Sequence, residues 1–262
     1  MEDNLNPEFS TPLIGFSLNE GILTLSIQRG EKKNAITRDM YRGLHTCLQA
    51  AEFDARVRVV VITGHDGNFT AGNDISDFLH HPPSDETSPV LLFLKTLSQF
   101  TKPLIAAADG VAIGVGTTLL LHCDIVVVHQ DVKLKLPFVE LGLCPEAASS
   151  LLLPRIIGYQ RAAQMILMSD LISGQQALEW GLVNYISTEP ALPMAIQHAK
   201  RIASLPMESL TLSKKLLKSE LTAAIDARLT IEAKHFIERL ASTDAREAFT
   251  AFIQKRPAKF NL

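Results

Sequence analysis

The chain has 262 residues, 47% hydrophobic and 20% charged, so it is long enough to bury a substantial core within one large domain. Its 25 lysines and arginines stand against 28 aspartates and glutamates, a formal net charge of −3. This balance gives no overall basic field, which excludes a general affinity for nucleic acid or an anionic membrane surface. Three cysteines, far apart in the sequence, predict neither a disulfide framework nor a zinc site.

The first residues and the apolar runs predict neither export nor membrane insertion. Residues 1–10 carry three acidic side chains and lack the apolar segment of a secretory signal. The longest candidate for a membrane span, residues 110–123, is shorter than the roughly 20 residues that cross a bilayer. We therefore expect a cytoplasmic protein that has no membrane or nucleic-acid partner.

Strands alternate with helices over much of the predicted structure. Alternating apolar residues on both sides of Asn19-Glu20-Gly21 predict a hairpin, and Thr37 can cap the helix that follows. Buried strands separated by helices indicate a mostly parallel sheet, and therefore an α/β fold. The further elements of this pattern are strands at residues 57–63, 104–108 and 124–128 and helices at residues 90–100 and 114–122.

The character of the chain changes near residue 190. Ser173 and Gln176 form a predicted capping box at the start of a short helix, and Gly181 ends that helix. Nearly everything after Ala191 has helical periodicity. We therefore divide the chain into a core, residues 1–190, and a helical region, residues 191–262.

Two glycine-containing turns are candidates for ligand binding. Gly114 and Gly116 lie between a predicted strand and helix, and residues 69–75 form a similar turn in which Asn73 or Asp74 can cap a helix. Each turn could present a backbone N–H, and paired N–H donors suit an oxyanion. Tight packing turns without a ligand are the alternative. A dinucleotide-binding turn is disfavoured, because its third glycine is absent.

Glu146 is the candidate acid or base. It is the only carboxylate between residues 141 and 154, a segment otherwise free of charge until Arg155. An apolar environment raises the pKa of a carboxyl group toward neutrality, as a proton shuttle requires. The alternative is a glutamate that follows Pro145 at a helix start and only stabilises the helix dipole. No metal site is predicted, since His80 and His81 are adjacent in a proline-rich loop.

Four segments of the chain form one ordered set of motifs: residues 28–35 (QRGEKKNA), 69–75 (FTAGNDI), 102–116 (KPLIAAADGVAIGVG) and 123–125 (CDI). Taken together and in this order, they resemble the crotonase, or enoyl-CoA hydratase/isomerase, superfamily. One departure is Gly30, where the family usually has proline after the arginine.

The resemblance implies a spiral of β-β-α units, with an acyl-CoA-binding core in residues 1–190 and a helical oligomerisation region in residues 191–262. The implied partner is an acyl-CoA thioester, and the implied assembly is a homotrimer or hexamer. No separate cofactor is expected, because coenzyme A is part of the substrate.

The resemblance also assigns roles to single residues. The two oxyanion-hole N–H groups of the family map onto Ala71 and Val115. The two glutamates of the hydratases map onto Thr118 and Phe138, which cannot transfer protons in that way. Glu146 matches the single catalytic glutamate of the peroxisomal-type Δ3,Δ2-enoyl-CoA isomerases, in which it would carry a proton from C2 to C4 of the acyl chain.

The substrate-binding residues are expected in three groups. According to the resemblance, two of them, in the loop after the hairpin and in the turn at residues 69–75, would lie near the coenzyme A portion. The third consists of Gly114 and the two positions that match the hydratase acids. The residues are Arg29, Lys32, Asn34 and Ala35; Gly72, Asn73, Asp74 and Ile75; and Gly114, Thr118 and Phe138.

Two alternatives stay open from the sequence. One is a hydratase or another crotonase-type reaction that recruits Glu140 or Glu146 in an unusual way. The other is a non-catalytic acyl-CoA-binding or scaffold protein, since a fold does not fix a function.

Overall fold

The structure is a computed structural model, which describes residues 11–260. The predictions made for residues 1–10 lie outside this range. A hairpin opens the chain, with β1 (Ile14–Asn19) antiparallel to β2 (Ile22–Ile27). Glu20 and Gly21 both have positive φ, 50° and 78°, as a two-residue turn between twisted strands requires. The predicted hairpin is confirmed.

The hairpin forms one edge of a six-stranded sheet. Its strand order is β1-β2-β3-β4-β6-β9, and every pair beyond the hairpin is parallel, as predicted. The four further strands are β3 (Val59–Gly64), β4 (Leu104–Ala108), β6 (Ile125–His129) and β9 (Tyr185–Ser187).

Side chains of the sheet alternate between two apolar clusters. On one face they pack in the main core with α1 (Arg38–Phe53) and α3 (Pro89–Gln99), and α1 begins at the predicted Thr37 cap. On the other face they pack against α8 (Ala191–Ala203), which presents buried alanines. The helix just after the predicted boundary thus covers the sheet, while the division of the chain at residue 190 stays a prediction.

A second, three-stranded sheet was not predicted, because its strands have only two or three residues. It consists of β5 (Val111–Ile113), β7 (Lys133–Lys135) and β8 (Ile172–Ser173). Strand β5 leads directly into α4 (Val115–Leu120), the shorter form of the helix predicted at residues 114–122.

The remaining seven helices lie before, between and after these elements in the described part of the chain. The predicted capping box at Ser173 is present at the start of α7. Helices α5 and α6 were not predicted. No helix within residues 11–260 combines the length and apolar character of a membrane span. The helices are α2 (Ile75–His80), α5 (Ser149–Ile157), α6 (Tyr159–Leu167), α7 (Gly174–Glu179), α9 (Met207–Lys218), α10 (Thr222–Leu240) and α11 (Thr243–Ile253).

Candidate active site

The two glycine turns lie side by side. Thr70 pairs with Ala112 in a parallel bridge, so the turn at residues 69–75 runs along β5, which leads into the second turn. A Cβ atom on Gly72 would lie 2.7 Å from the carbonyl oxygen of Ile113, and φ at Gly72 is 89°. Glycine is therefore required for this close approach.

Ala71 does not present a free N–H. Its amide donates to the carbonyl of Lys33 at 2.9 Å, and the amide of Gly72 donates to the Thr70 hydroxyl at 3.0 Å. The prediction that Ala71 supplies one oxyanion donor is therefore wrong. The sequence could not show this, because the competing acceptor lies 38 positions earlier in the chain.

Asn73 has the free N–H of this turn. Ile36 and Asn73 form a parallel bridge in which Ile36 donates to Gly72 O at 2.8 Å and accepts from Asp74 N–H at 2.9 Å. In such a bridge the amide of Asn73 points away from Ile36, toward the side of the second turn. Within residues 11–260 this amide has no acceptor. The Asn73 side chain accepts a hydrogen bond from the Tyr41 hydroxyl.

Val115 supplies the N–H of the second turn. Gly114, with φ 56° and ψ −118°, precedes α4, and its carbonyl accepts from Thr117 and Thr118 at 2.9 and 3.0 Å. Val115 is the first residue of the helix, where an amide has no partner inside the helix. No other described residue accepts from it. Val115 thus stays a candidate donor, together with Asn73.

Glu146 lies on an unusual loop before α5. Ala147 and Ala148 are both in the left-handed region, with φ 58° and 56°. This conformation costs an L-residue roughly 1–2 kcal/mol. The loop is held by a hydrogen bond from Ser149 N–H to Glu146 O at 2.9 Å and by one from His122 Nε2 to Ala147 O at 2.8 Å. Burial lowers the pKa of His122 to about 4, so its ring is neutral at physiological pH.

Burial raises the pKa of the Glu146 carboxyl to about 8, and the nearby negative charge of Glu232 adds to this effect. The Thr118 hydroxyl, 3.4 Å from Glu146 Oε1, opposes it by stabilising the charged form. The predicted shift toward neutrality is confirmed. A glutamate at a helix N-terminus would have a lowered pKa, so the helix-dipole interpretation does not describe Glu146.

The raised pKa predicts a stabilising substitution, Glu146→Gln. Between the unfolded pKa near 4.5 and the folded pKa near 8, the folded chain binds the extra proton, so its stability falls as pH rises. Glutamine does not ionise, so the variant does not lose stability in this way as the pH rises. We expect the variant to melt several degrees above the wild type at pH 8.5, and the difference to shrink toward pH 5, in calorimetric scans at both pH values. An equal melting difference at both would contradict the assignment.

A cavity of about 680 Å³ extends from Glu146 between α3 and α10. Apolar side chains form much of its lining, and charged residues such as Asp85, Lys95 and Lys234 also line it. A volume of this size is typical of small-molecule sites. The apolar lining residues are Val90, Leu91, Leu92, Leu94, Ala147, Leu229, Ala233, Phe236 and Ile237.

Arg29, Asn34 and Asp74, three of the residues predicted to bind substrate, make hydrogen bonds that hold the turns in place. The amide of the fully buried Asn34 donates to the carbonyls of His65 and Asn68, both at 2.7 Å, and accepts from Arg29 N–H. For Asn34 the prediction is therefore wrong, because its side chain has no free polar group.

Arg29 Nη1 lies 2.6 Å from Asp74 Oδ2 and also donates to Ala35 O, and Asp74 Oδ1 caps α2. These bonds fix the shape of the loop. Burial opposes ionisation of Asp74, but the hydrogen bond from Asp77 N–H and the pairing with Arg29 lower its pKa. Lys32 is exposed, and Ile75 begins α2.

Thr118 and Phe138, at the positions of the two hydratase acids, are buried. The Thr118 hydroxyl is 3.4 Å from both Val115 O and Glu146 Oε1. Glu140, the other acid considered, lies in a short 3-10 turn, where it pairs with Lys135 at 2.8 Å and is half exposed. It is therefore not placed among the groups that surround Glu146.

Sequence reasoning missed Tyr41 and Glu232. Tyr41 is fully buried and binds Asn73; burial, Glu146 and Asp77 hold its pKa well above the usual range. Glu232 is a buried acid in α10. Within the described residues, no three metal-ligating side chains come together.

The chain matches the family model described as enoyl-CoA hydratase/isomerase over residues 17–262. It is 34% identical over 253 residues to a 1,2-epoxyphenylacetyl-CoA isomerase of Escherichia coli (strain K12), with 93% of this chain and 96% of the relative covered. It is 30% identical over 244 residues to enoyl-CoA delta isomerase 2 of Rattus norvegicus, with 90% of this chain and 62% of the relative covered. Other relatives are named as hydratases.

The crystal structure of an enoyl-CoA hydratase/isomerase from Pseudoalteromonas atlantica T6c has the same fold. Its TM-score is 0.91 at 36% sequence identity, with 95% of this chain and 100% of that chain covered. The predicted α/β fold and the resemblance are both confirmed. The chain belongs to the enoyl-CoA hydratase/isomerase family.

Proposed function

We propose that the chain is a Δ3,Δ2-enoyl-CoA isomerase, in which Glu146 is the only acid–base group and the amides of Asn73 and Val115 bind the enolate oxygen. The observation that carries the proposal is that Glu146 is the one buried carboxyl group among the residues that line a largely apolar cavity. The two positions that hold acids in hydratases are threonine and phenylalanine, Thr118 and Phe138.

The reaction needs one proton shuttle. The Glu146 carboxylate removes a proton from C2 of a 3-enoyl thioester, and the electrons of that C–H bond form the enolate, whose charge develops on the thioester oxygen. The two backbone amides stabilise this charge. The thioester carbonyl then re-forms, the enolate electrons move into the C2–C3 bond to make the new double bond, and the π electrons of the old C3–C4 double bond take up the proton that the same carboxyl group delivers to C4. Atoms and charge balance without water or a separate cofactor.

The raised pKa of Glu146 suits this role. A base with pKa about 8 removes a weakly acidic proton more readily than one with an ordinary carboxyl pKa, yet it still exists partly as carboxylate near neutral pH. The Thr118 hydroxyl lies within reach of one carboxylate oxygen, at 3.4 Å. The acyl chain would lie in the apolar cavity, and the homotrimer or hexamer implied by the resemblance stays a prediction.

The second candidate function is hydration, which the names of several relatives favour. Hydration adds water across the double bond and needs groups that both position a water molecule and protonate the acyl carbon. In this site the second acid is absent at Phe138, and Glu140 pairs with Lys135 at the surface. Isomerisation needs only one acid–base group and no positioned water molecule.

We therefore expect hydration to be a minor activity. With purified protein, a 3-enoyl-CoA should gain the absorbance of the conjugated thioester, whereas crotonyl-CoA should lose it at most about one hundredth as fast, since a missing acid–base group costs about 10²- to 10⁴-fold. Both rates are followed in the same spectrophotometer at equal substrate concentration. Rapid hydration of crotonyl-CoA, without turnover of the 3-enoyl-CoA, would refute the isomerase proposal.

A further inference from the structure

A second buried carboxyl group lies behind the candidate base. Glu232, in α10, is 5% exposed. Its Oε1 accepts a hydrogen bond from Ser150 N–H at 2.9 Å, whereas its Oε2 has no partner within residues 11–260. Arg228, one turn earlier in α10, donates to the Ser150 hydroxyl at 3.3 Å. The mechanism proposed above uses none of these groups.

Glu232 caps a helix that cannot cap itself. The residue before α5 is Ala148, which has no side-chain acceptor and adopts the left-handed conformation. The first amides of a helix need acceptors from outside it, and a carboxylate is favoured there. Ser149 N–H uses the carbonyl of Glu146, and Ser150 N–H uses Glu232. The cap thus comes from a residue 82 positions later in the chain.

This cap fixes the position of Glu146. Only the left-handed residues Ala147 and Ala148 separate Glu146 from Ser149, so the base cannot move independently of the first turn of α5. His122 holds the loop at Ala147 O, and Glu232 holds it at Ser150 N–H. Removing either contact frees a strained backbone to relax.

We propose that Glu232 is a positioning residue of the active site: it holds the loop that carries Glu146 and keeps a negative charge beside it. The inference rests on the proposed role of Glu146 as the base. Glu232 touches no reacting atom, so it is not itself a catalytic residue.

The two carboxyl groups differ in their partners. Burial raises the pKa of Glu232, while the hydrogen bond from Ser150 and the charge of Arg228 favour its charged form. Glu146 has only the Thr118 hydroxyl as a side-chain partner, and burial together with the negative charge of Glu232 raises its pKa. The other titratable groups around the pair are Tyr41 of α1, His122 after α4, and Cys144, whose thiol pKa burial and Glu232 raise to about 11.

Two variants separate the cap from the charge. Glu232→Gln retains an oxygen for Ser150 N–H and removes the charge, whereas Glu232→Met removes both. In Glu232→Gln we expect kcat within about threefold of the wild type and an acid limb of kcat/KM shifted down by about half to one pH unit, because a like charge beside Glu146 is gone. In Glu232→Met we expect the same shift and a kcat lowered about 10- to 100-fold, since a misplaced base reacts slowly.

The matched control is Glu238→Gln, which removes a half-exposed charge from the same helix and should leave the profile unchanged. The pKa of Glu146 is also followed directly by NMR in protein labelled with ¹³C-glutamate. The carboxyl carbon resonance of Glu146 is identified as the one that is absent from the Glu146→Gln variant. This titration does not depend on turnover. Full activity of Glu146→Gln would overturn the function, while the resonance shift in Glu232→Gln would still report the coupling.

Two results would overturn the inference. One is a Glu232→Gln variant whose acid limb and Glu146 titration both match the wild type. The other is a loss of kcat in Glu232→Gln as large as that in Glu232→Met, together with a lower melting temperature and an unmoved acid limb, which would assign Glu232 to folding alone. If Glu232→Met does not fold, the Glu232→Gln measurements decide between these outcomes.

Discussion

Glu146→Gln is expected to reduce the isomerisation rate by about 10²- to 10⁴-fold, the loss typical of a missing acid–base group. The amide cannot accept the C2 proton or return it at C4. It has nearly the size of the carboxyl group and can still accept from Thr118, 3.4 Å away. Affinity for the acyl-CoA should therefore change little. Steady-state kinetics with a 3-enoyl-CoA and calorimetric binding of a saturated acyl-CoA measure the two quantities separately.

The matched control is Glu140→Gln. This residue is six positions earlier, is half exposed and pairs with Lys135. Its replacement therefore removes a surface ion pair that contributes little to stability. We expect near wild-type turnover. If Glu146→Gln retained turnover and Glu140→Gln lost it, the base would be Glu140 and the loop that carries it would have to reach the cavity.

Glu146 could be predicted from the sequence because its signal is local. A lone carboxylate in a charge-free apolar segment must be buried when that segment packs, and burial is the largest cause of its raised pKa. The hairpin and the buried strands were predictable for the same reason, since short-range periodicity fixes which face of each strand is covered. For these elements the structure added little beyond the residues at which each begins and ends.

The oxyanion donors show the limit of such reasoning. Ala71, Gly72 and Asn73 are consecutive small or polar residues in one turn, and each has an N–H. Which amide stays free depends on the segment at residues 33–36, which pairs with the turn and uses the amide of Ala71. No local sequence pattern predicts that pairing. Glu232 was missed similarly, because the helix it caps lies 82 residues earlier.

Replacement of single backbone amides by esters is expected to identify the two groups that hold the enolate. An α-hydroxy acid incorporated at position 73 or 115 replaces the N–H with an oxygen atom and leaves the side chain intact. Loss of one oxyanion-hole donor costs about 10²- to 10³-fold in kcat, about 3 to 4 kcal/mol. We expect a loss of this size at Asn73 and at Val115, measured as isomerisation of a 3-enoyl-CoA.

The same ester at Ala71 is the matched control, because the two positions lie in one turn and differ in what their amides bind. The Ala71 amide donates to Lys33 O, so its loss should cost about 1 kcal/mol of stability and leave the transition state stabilised. A large loss of kcat at Ala71 with none at Asn73 would restore Ala71 as the donor. It would also mean that the hydrogen bond to Lys33 opens when substrate binds, since one N–H cannot serve both acceptors with good geometry.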